Sequence, residues 1–168
     1  MSAYLALALS VGVLAVLDTW LFVSPLATTA LAGLVWISFI AWGCHFHSGG
    51  GTKGTATTLA CMSFGAVVGM AAVMAAGGPL AALGGLAAPV AVGVGAAVIC
   101  LASAVSILST IPASVYGFAS IAGPILLQDR SPTEALFPVI GAIVIGAAFG
   151  YLSETFANAM TKKGAAAE

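Results

Sequence analysis

One acidic side chain lies within an apolar segment, where a charged group is energetically unfavourable. Asp18 sits deep within an apolar run, residues 3–23, that is long enough to cross a lipid bilayer. A carboxylate at membrane depth is strongly unfavourable unless it faces water, a cavity or a partner, so Asp18 is a candidate functional residue. Two alternatives remain open. Asp18 could reach the interface near Ser24 and Pro25, or be a neutral acid hydrogen-bonded to Thr19 or to a neighbouring hydroxyl.

A cysteine and two histidines follow one another at Cys44, His45 and His47. Thiolate and imidazole groups bind transition metals, but a helical chelate needs ligands three or four residues apart. His45 and His47 are two apart and point to opposite sides of a helix, whereas Cys44 and His47 share a face. Because no second ligand cluster occurs in the sequence, we predict no metal and no cofactor, and expect interfacial or path-lining histidines.

Other catalytic arrangements are not visible. The glycine-rich turn at Lys53 lacks the GxxxxGK[ST] spacing of a phosphate loop. Glu154 lies too near the end of the last apolar segment to be the ion-binding acid of a rotary-ATPase ring subunit. Since the polar residues do not cluster, we expect no enzymatic activity.

The amino-acid composition indicates what kind of structure holds these residues. Hydrophobic residues make up 61% of the 168-residue chain and charged residues only 5%, against about 25% in ordinary soluble domains. The net charge of −1 argues against nucleic-acid binding, and the three scattered cysteines do not form a disulfide framework. The sequence therefore predicts an all-α integral membrane protein.

Six apolar segments are candidate transmembrane helices within a single membrane domain, residues 1–160, followed by a short polar tail, residues 161–168. A spanning helix needs about 20 apolar residues, and glycine and proline mark the breaks between segments. The fifth segment is short for a full crossing. The predicted spans are about 3–23, 27–47, 55–76, 86–108, 112–127 and 134–157.

The basic residues predict an orientation. Lys and Arg are retained on the cytoplasmic side of a membrane. With six crossings both termini share a side, and placing them inside puts Lys53, Lys162 and Lys163 in the cytoplasm and Arg130 outside. We therefore expect a multi-pass protein of the bacterial cytoplasmic membrane with cytoplasmic N- and C-termini.

Small residues recur along the chain. Gly65-x-x-x-Gly69 in the third segment is matched by Gly146-x-x-x-Gly150 in the sixth, and the two pairs are separated by about half the length of the chain. This favours two inverted three-helix repeats, although glycine and alanine are frequent enough for chance matches. Together with Gly141, these glycines are expected to allow close helix packing within or between subunits, and less often to line a narrow pore.

Aromatic residues complete a pattern that resembles a known family. The pattern consists of Trp36-x-x-Phe39-x-x-Trp42, Phe46-x-x-Gly49-Gly50, Lys53-Gly54, Thr58, Pro112, Gly117, Phe118, Pro138-x-x-Gly141, Gly146 and Phe149-Gly150. With these residues, the chain resembles bacterial inner-membrane proteins of the domain-of-unknown-function family 1097, over roughly residues 5–157. Asp18, His45 and His47 lie outside this pattern. The resemblance implies a bacterial plasma-membrane protein and implies no substrate.

The function predicted from these features is a channel or simple transporter for a small, neutral solute. Glycine-broken segments at corresponding places favour a path between the turn at 46–51 and the segment at 112–124. Six short spans enclose little volume, so a homo-oligomer in the bilayer is expected. The alternative is a structural or accessory subunit that packs against a partner protein. The predicted path residues are Asp18, Trp42, His45, Phe46, Ser48, Ser114 and Phe118.

Overall fold

The computed structural model describes residues 1–165, with side chains as far as Thr161. These residues confirm the predicted all-α class. The end of the predicted polar tail, residues 166–168, lies outside the described residues. The α-helices are α1 (Ala3–Val23), α2 (Val35–His47), α3 (Gly51–Gly77), α4 (Ala87–Ala102), α5 (Ile111–Leu127) and α6 (Pro132–Ala165), with 3-10 helices at Ala81–Leu86 and Ser106–Leu108.

Four helical segments are long and apolar enough to cross a membrane: Ala3–Val23, Gly51–Gly77, Ala81–Ala102 and Pro132–Thr161. Helix α5 has 17 residues, about 26 Å at the usual rise. Helix α2 has 13 residues, about 20 Å, which is well short of the hydrocarbon thickness of about 30 Å. The protein therefore combines four long helices with two short ones.

The second predicted span, residues 27–47, differs most from the observed helix, which begins only at Val35. Residues 24–34 form successive turns instead. The Thr29 hydroxyl donates to the Leu26 carbonyl and accepts from the Leu31 amide, and Gly33 has a positive φ of 74°. Local side-chain hydrogen bonds of this kind compete with helical ones, which explains the late start of α2.

The remaining helix bounds shift by smaller amounts. Helix α3 begins at Gly51 rather than residue 55, and α4 ends at Ala102 rather than residue 108. Helix α6 extends beyond the predicted 134–157 at both ends. At its start, the Ser131 hydroxyl accepts the Glu134 amide and donates to the Glu134 carboxylate, so Ser131 is the N-cap of the helix.

Two groups of contacts define opposite ends of the bundle. At one end, the Ser10 hydroxyl donates to the Ser153 carbonyl, and Glu154 contacts His45 and Gly51. This end therefore holds the first half of α1, the end of α2, the start of α3 and the later part of α6. At the other end, Arg130 donates to the carbonyls of Ala30 and Ala32, and Gln128 to that of Gly33.

The helices make corresponding contacts in the two halves of the chain, which are α1 to α3 and α4 to α6. Helix α3 packs against α6; α2 packs mainly on α6 and α5 mainly on α3; α1 packs on α6 and α4 on α3. The third helix of each half is thus the main partner of the first two helices of the other half. The first two helices of each half are therefore packed mainly by the other half.

The buried positions correspond in the same way. The offset between two corresponding residues is the difference between their residue numbers, as between Gly65 and Gly146. At this offset, buried residues of α1 correspond to buried residues of α4. In α1 they are Ala6, Ser10, Leu14 and Asp18. In α4 they are Ala87, Ala91, Gly95 and Ile99. Every buried residue of α3 has a buried counterpart at the same offset in α6. Between α2 and α5 the offset is smaller, 114 − 38 = 76, because the segment joining α4 to α5 is shorter than the one joining α1 to α2.

Candidate functional site

A groove of about 410 Å³ lies between the two short helices. The His47 and Tyr116 rings meet edge to face, with centroids 5.8 Å apart. The groove is lined by Ile40, Gly43, Cys44 and His47 of α2 and by Tyr116 and Ala119 of α5.

Some of the lining residues occupy corresponding positions in the two halves of the chain. Ile40 corresponds to Tyr116, and Gly43 corresponds to Ala119, each at the offset that relates Ser38 to Ser114. The groove therefore lies between α2 and α5 and includes corresponding positions of the two helices. Small side chains at Gly43 and Ala119 keep it open.

Hydroxyl groups without partners lie near this groove. Ser120 corresponds to Cys44 and follows the lining residue Ala119. Thr58 lies on α3 beside Cys44. Both hydroxyls are fully buried, and neither has a hydrogen-bond partner among the described residues. An unpaired hydroxyl in an apolar interior costs about 1–3 kcal/mol, which makes these two groups candidates for contacting a polar ligand.

The opposite face of α2 makes a separate set of polar contacts with α1 and α6. The Ser38 hydroxyl donates to Asp18 Oδ1 at 3.1 Å, in a fully buried contact. Trp42 Nε1 donates to the Ser153 hydroxyl at 3.0 Å, and the Ser10 hydroxyl donates to the Ser153 carbonyl at 2.8 Å.

At the end of α2, a buried histidine joins three helices. His45 Nε2 lies 3.2 Å from Glu154 Oε2, and the Thr55 hydroxyl lies 3.2 Å from His45 Nδ1. The same Glu154 oxygen accepts the Gly51 amide at 2.6 Å, so an α6 carboxylate caps the positive N-terminus of α3. The intervening Gly50 has a φ of 68°, and a Cβ there would lie 2.9 Å from the Glu154 carboxylate oxygens.

The glycines predicted to pack helices make their contacts inside the chain. A Cβ on Gly65 would overlap the Ser114 backbone of α5, and one on Gly146 would overlap the Ser38 backbone of α2. Gly69 and Gly150 lie in the same way against Ile121 and His45. Gly141 is less confined, since a Cβ there would lie 3.3 Å from Leu31.

The predicted path residues do not line one cavity. Trp42 and His45 lie on the face of α2 that points away from the groove, and Asp18 of α1 contacts that same face through Ser38. Ser114 is buried under Gly65, and Phe118 lines a separate cavity of about 370 Å³ between α3, α4 and α5.

The other two predicted path residues lie near the end of α2. Phe46 is partly exposed, and the Ser48 hydroxyl lies 3.8 Å from the Cys44 thiol. None of the residues named for the predicted path lines the groove, and the shared face of Cys44 and His47 was the signal in the sequence that points to this side of α2. The groove residues that the path prediction lacked are Ile40, Gly43, Cys44, His47, Tyr116 and Ala119. Glu154 was discounted for its position near the end of the last apolar segment, although that position lets it reach His45.

Long apolar helices joined through glycine contacts define a helical integral membrane protein. The model of the family described as "Protein of unknown function (DUF1097)" matches residues 8–158, and the chain belongs to that family. The resemblance expected from the aromatic, glycine and proline pattern is thereby confirmed. No curated protein and no solved structure matches the chain.

Proposed function

We propose that this protein provides a membrane passage for a small, neutral, polar solute, and that the groove between α2 and α5 is part of it. The observation that carries the proposal is the position of the groove, at the meeting of two short helices that correspond to each other. In transporters with inverted repeats, substrate sites lie at the repeat interface and are typically formed by discontinuous helices.

The proposal includes an inverted duplication of a three-helix unit. Three crossings are an odd number, so a repeated unit has the opposite orientation in the membrane. Two independent features support the duplication. One is that the helix contacts are the same in both halves. The other is the single offset that relates four of the five buried positions of α1 to those of α4, and all buried positions of α3 to buried positions of α6. Chance recurrence of glycine does not produce a buried counterpart for every buried residue of α3.

The chemistry of the groove supports a neutral solute. Its polar side chains are a thiol, an imidazole and a phenol, at Cys44, His47 and Tyr116. The hydroxyls of Thr58 and Ser120 add unpaired donors and acceptors close by. Such groups replace the hydration of an amide or alcohol, and the volume of about 410 Å³ suits a small molecule.

Uptake by proteoliposomes tests the proposal. Purified protein is reconstituted and light scattering follows swelling with small amides, alcohols, organic acids and ammonium salts. We expect a flux above that of empty liposomes for at least one neutral solute. Gly43→Leu places a bulky side chain in the groove, its Cβ meets no atom within 4 Å, and the substitution should reduce this flux by more than half.

Gly93→Leu is the matched control. Gly93 lies on the exposed face of α4, also with nothing within 4 Å of its Cβ, so the same substitution should leave the flux unchanged. Absence of flux for every solute, with a stable complex between this chain and another membrane protein on native purification, would instead establish the accessory-subunit function. Equal flux in the Gly43 and Gly93 variants would remove the groove from the passage.

We also propose that the working unit is a homo-oligomer in the bacterial cytoplasmic membrane. The groove is open on its outer side, and a second copy of the chain would convert it into an enclosed path. Native mass spectrometry from mild detergent should show an assembly of two or more copies. Monomers alone at every detergent concentration would contradict this part of the proposal.

A further inference from the structure

The interface of α1, α2 and α6 carries a polar column that the corresponding interface of α4, α5 and α3 lacks. We use this name for Ser10, Asp18, Ser38, Trp42, His45, Ser153 and Glu154. Their counterparts in the other half are, in the same order, Ala91, Ile99, Ser114, Phe118, Ile121, Ala72 and Val73.

The comparison between the halves separates packing from chemistry. Ile99 fills the Asp18 position on α4 and is as buried there, with 2% exposure against 0%. The serine that donates to Asp18 is Ser38, and its counterpart on α5 is also a serine, Ser114. The architecture thus accepts an apolar side chain where α1 has an acid, so the carboxyl group at Asp18 has a role other than filling space.

The surroundings of Asp18 do not compensate a negative charge. Its Oδ1 accepts one hydrogen bond from Ser38, and its Oδ2 has no hydrogen-bond partner among residues 1–161. Phe22, four residues beyond Asp18 on α1, and Leu34, four residues before Ser38, are buried as well. A single neutral donor is a poor replacement for the hydration of a carboxylate, whereas it suffices for a neutral acid.

No charged group in the described part of the chain faces Asp18. Helix α1 packs against α6 and α2. On α2, the titratable side chains are Cys44, His45 and His47, all well beyond Ser38 towards the end of the helix. On α6, Glu134 is exposed and bonded to Ser131, and Tyr151 and Glu154 lie beyond Gly146, the residue that packs on Ser38. The ion-pair geometry that the described residues do contain, between His45 and Glu154, lies farther along the column.

We propose that Asp18 is an intramembrane proton-binding site: the closed structure holds it as a neutral carboxylic acid, and the proton exchanges with water when α1 and α2 separate locally. One proton moves from hydronium to the carboxylate on loading and returns to water on release, with no change in oxidation state. The inference does not depend on solute passage through the groove, which lies on the other face of α2.

Infrared spectroscopy of the whole protein in lipid nanodiscs tests the proposal. We expect a carboxylic-acid C=O band at neutral pH that is absent from Asp18→Asn and retained in Glu154→Gln. On transfer to D₂O the band should shift to its deuterated position while most core helix amides remain protonated. Such a shift shows that the acid proton exchanges without unfolding.

Two further variants protect the test against misfolding and misassignment. Asp18→Ile copies the residue at Ile99, so it should give a folded protein that lacks the band. Ser38→Ala removes the donor to Oδ1 and should move the frequency of the band without abolishing it. The proposal is overturned if no Asp18-dependent band exists between mildly acidic and mildly alkaline pH. It is equally overturned if the band resists deuteration as long as the core amides, since Asp18 would then be a static structural acid.

Discussion

His45 and Glu154 join the end of α2 to α6 through a 3.2 Å contact between Nε2 and Oε2. His45 is fully buried, whereas the Glu154 side chain is 34% exposed. The same carboxylate oxygen also accepts the Gly51 amide. One side chain of α6 therefore fixes both the end of α2 and the beginning of α3, and the glycine turn between them can be short.

Removal of this carboxylate should destabilise the fold. Glu154→Ala leaves the His45 ring and the Gly51 amide without their acceptor, which should lower the free energy of unfolding by about 2 kcal/mol. Glu154→Gln keeps an acceptor oxygen for Gly51 and should lose less than half of that amount. Thermal unfolding in detergent, followed by circular dichroism, measures both; equal midpoints for Glu154→Ala and the native protein would contradict the joining role.

Leucine at Gly146 should prevent the helices from packing. The Cβ would lie 2.7 Å from the Ser38 carbonyl carbon and 2.8 Å from Ser38 Cα, so backbone rather than a flexible side chain must move. Overpacking of a tight contact costs about 1–3 kcal/mol or more. We expect loss of the monodisperse peak in fluorescence-detected size exclusion.

Gly12→Leu serves as the control, because nothing lies within 4 Å of a Cβ at that lipid-facing position. If Gly146→Leu and Gly12→Leu elute alike, the close contact between α2 and α6 does not exist.

The two unpaired hydroxyls near the groove, those of Thr58 and Ser120, should lower the stability of the protein and contribute to the passage of solute. Thr58→Val replaces a buried, unpartnered hydroxyl with a methyl group of the same shape, and Ser120→Ala removes another. Each should raise the free energy of unfolding by up to about 1 kcal/mol and reduce solute flux in proteoliposomes. Ser153→Ala is the contrasting variant: its hydroxyl is hydrogen-bonded to Trp42, so its removal should destabilise the protein. Unchanged flux in both Thr58→Val and Ser120→Ala would separate these hydroxyls from the passage.

Labelling from the two sides of the membrane should distinguish Lys53 from Arg130. Lys53 lies in the first turn of α3, at the end that also holds the start of α1 and the later part of α6, whereas Arg130 contacts the turns at the opposite end. With the native cysteines replaced by serine, a cysteine at 53 should react only after the inner face is exposed, and one at 130 should react in intact cells. Reaction of both from one side would eliminate the six-crossing arrangement; reversed labelling would keep it and invert the predicted orientation.

Composition and the lengths of the apolar segments predicted the helical membrane fold well, because lipid leaves few alternatives for the backbone. The bounds of α1 coincide with its apolar run, since serines border it on both sides. The start of α2 was missed because residues 27–34 are as apolar as a helix, and the turns there depend on Thr29 and Gly33.

The candidate site was less predictable, because it depends on which helices meet. Asp18 and His45 were recognised as unusual residues, but their partners Ser38 and Glu154 lie in other helices and have no signature in the sequence. The offset between α3 and α6 was visible in the glycine pairs. The different offset of α2 and α5 was not, and without it Gly43 and Ala119 could not be recognised as counterparts.

The exchange of third helices between the halves has a consequence for biosynthesis. The chain enters the membrane from its N-terminus, so α1 and α2 are inserted well before α6, the helix that accepts most of their contacts. Until α6 emerges from the ribosome, the faces of α1 and α2 that pack on α6 lack their partner, and His45 lacks Glu154. A chain truncated before residue 132 lacks α6, the main packing partner of α1 and α2. Two separately translated halves, in contrast, together contain all the packing surfaces needed to assemble with each other.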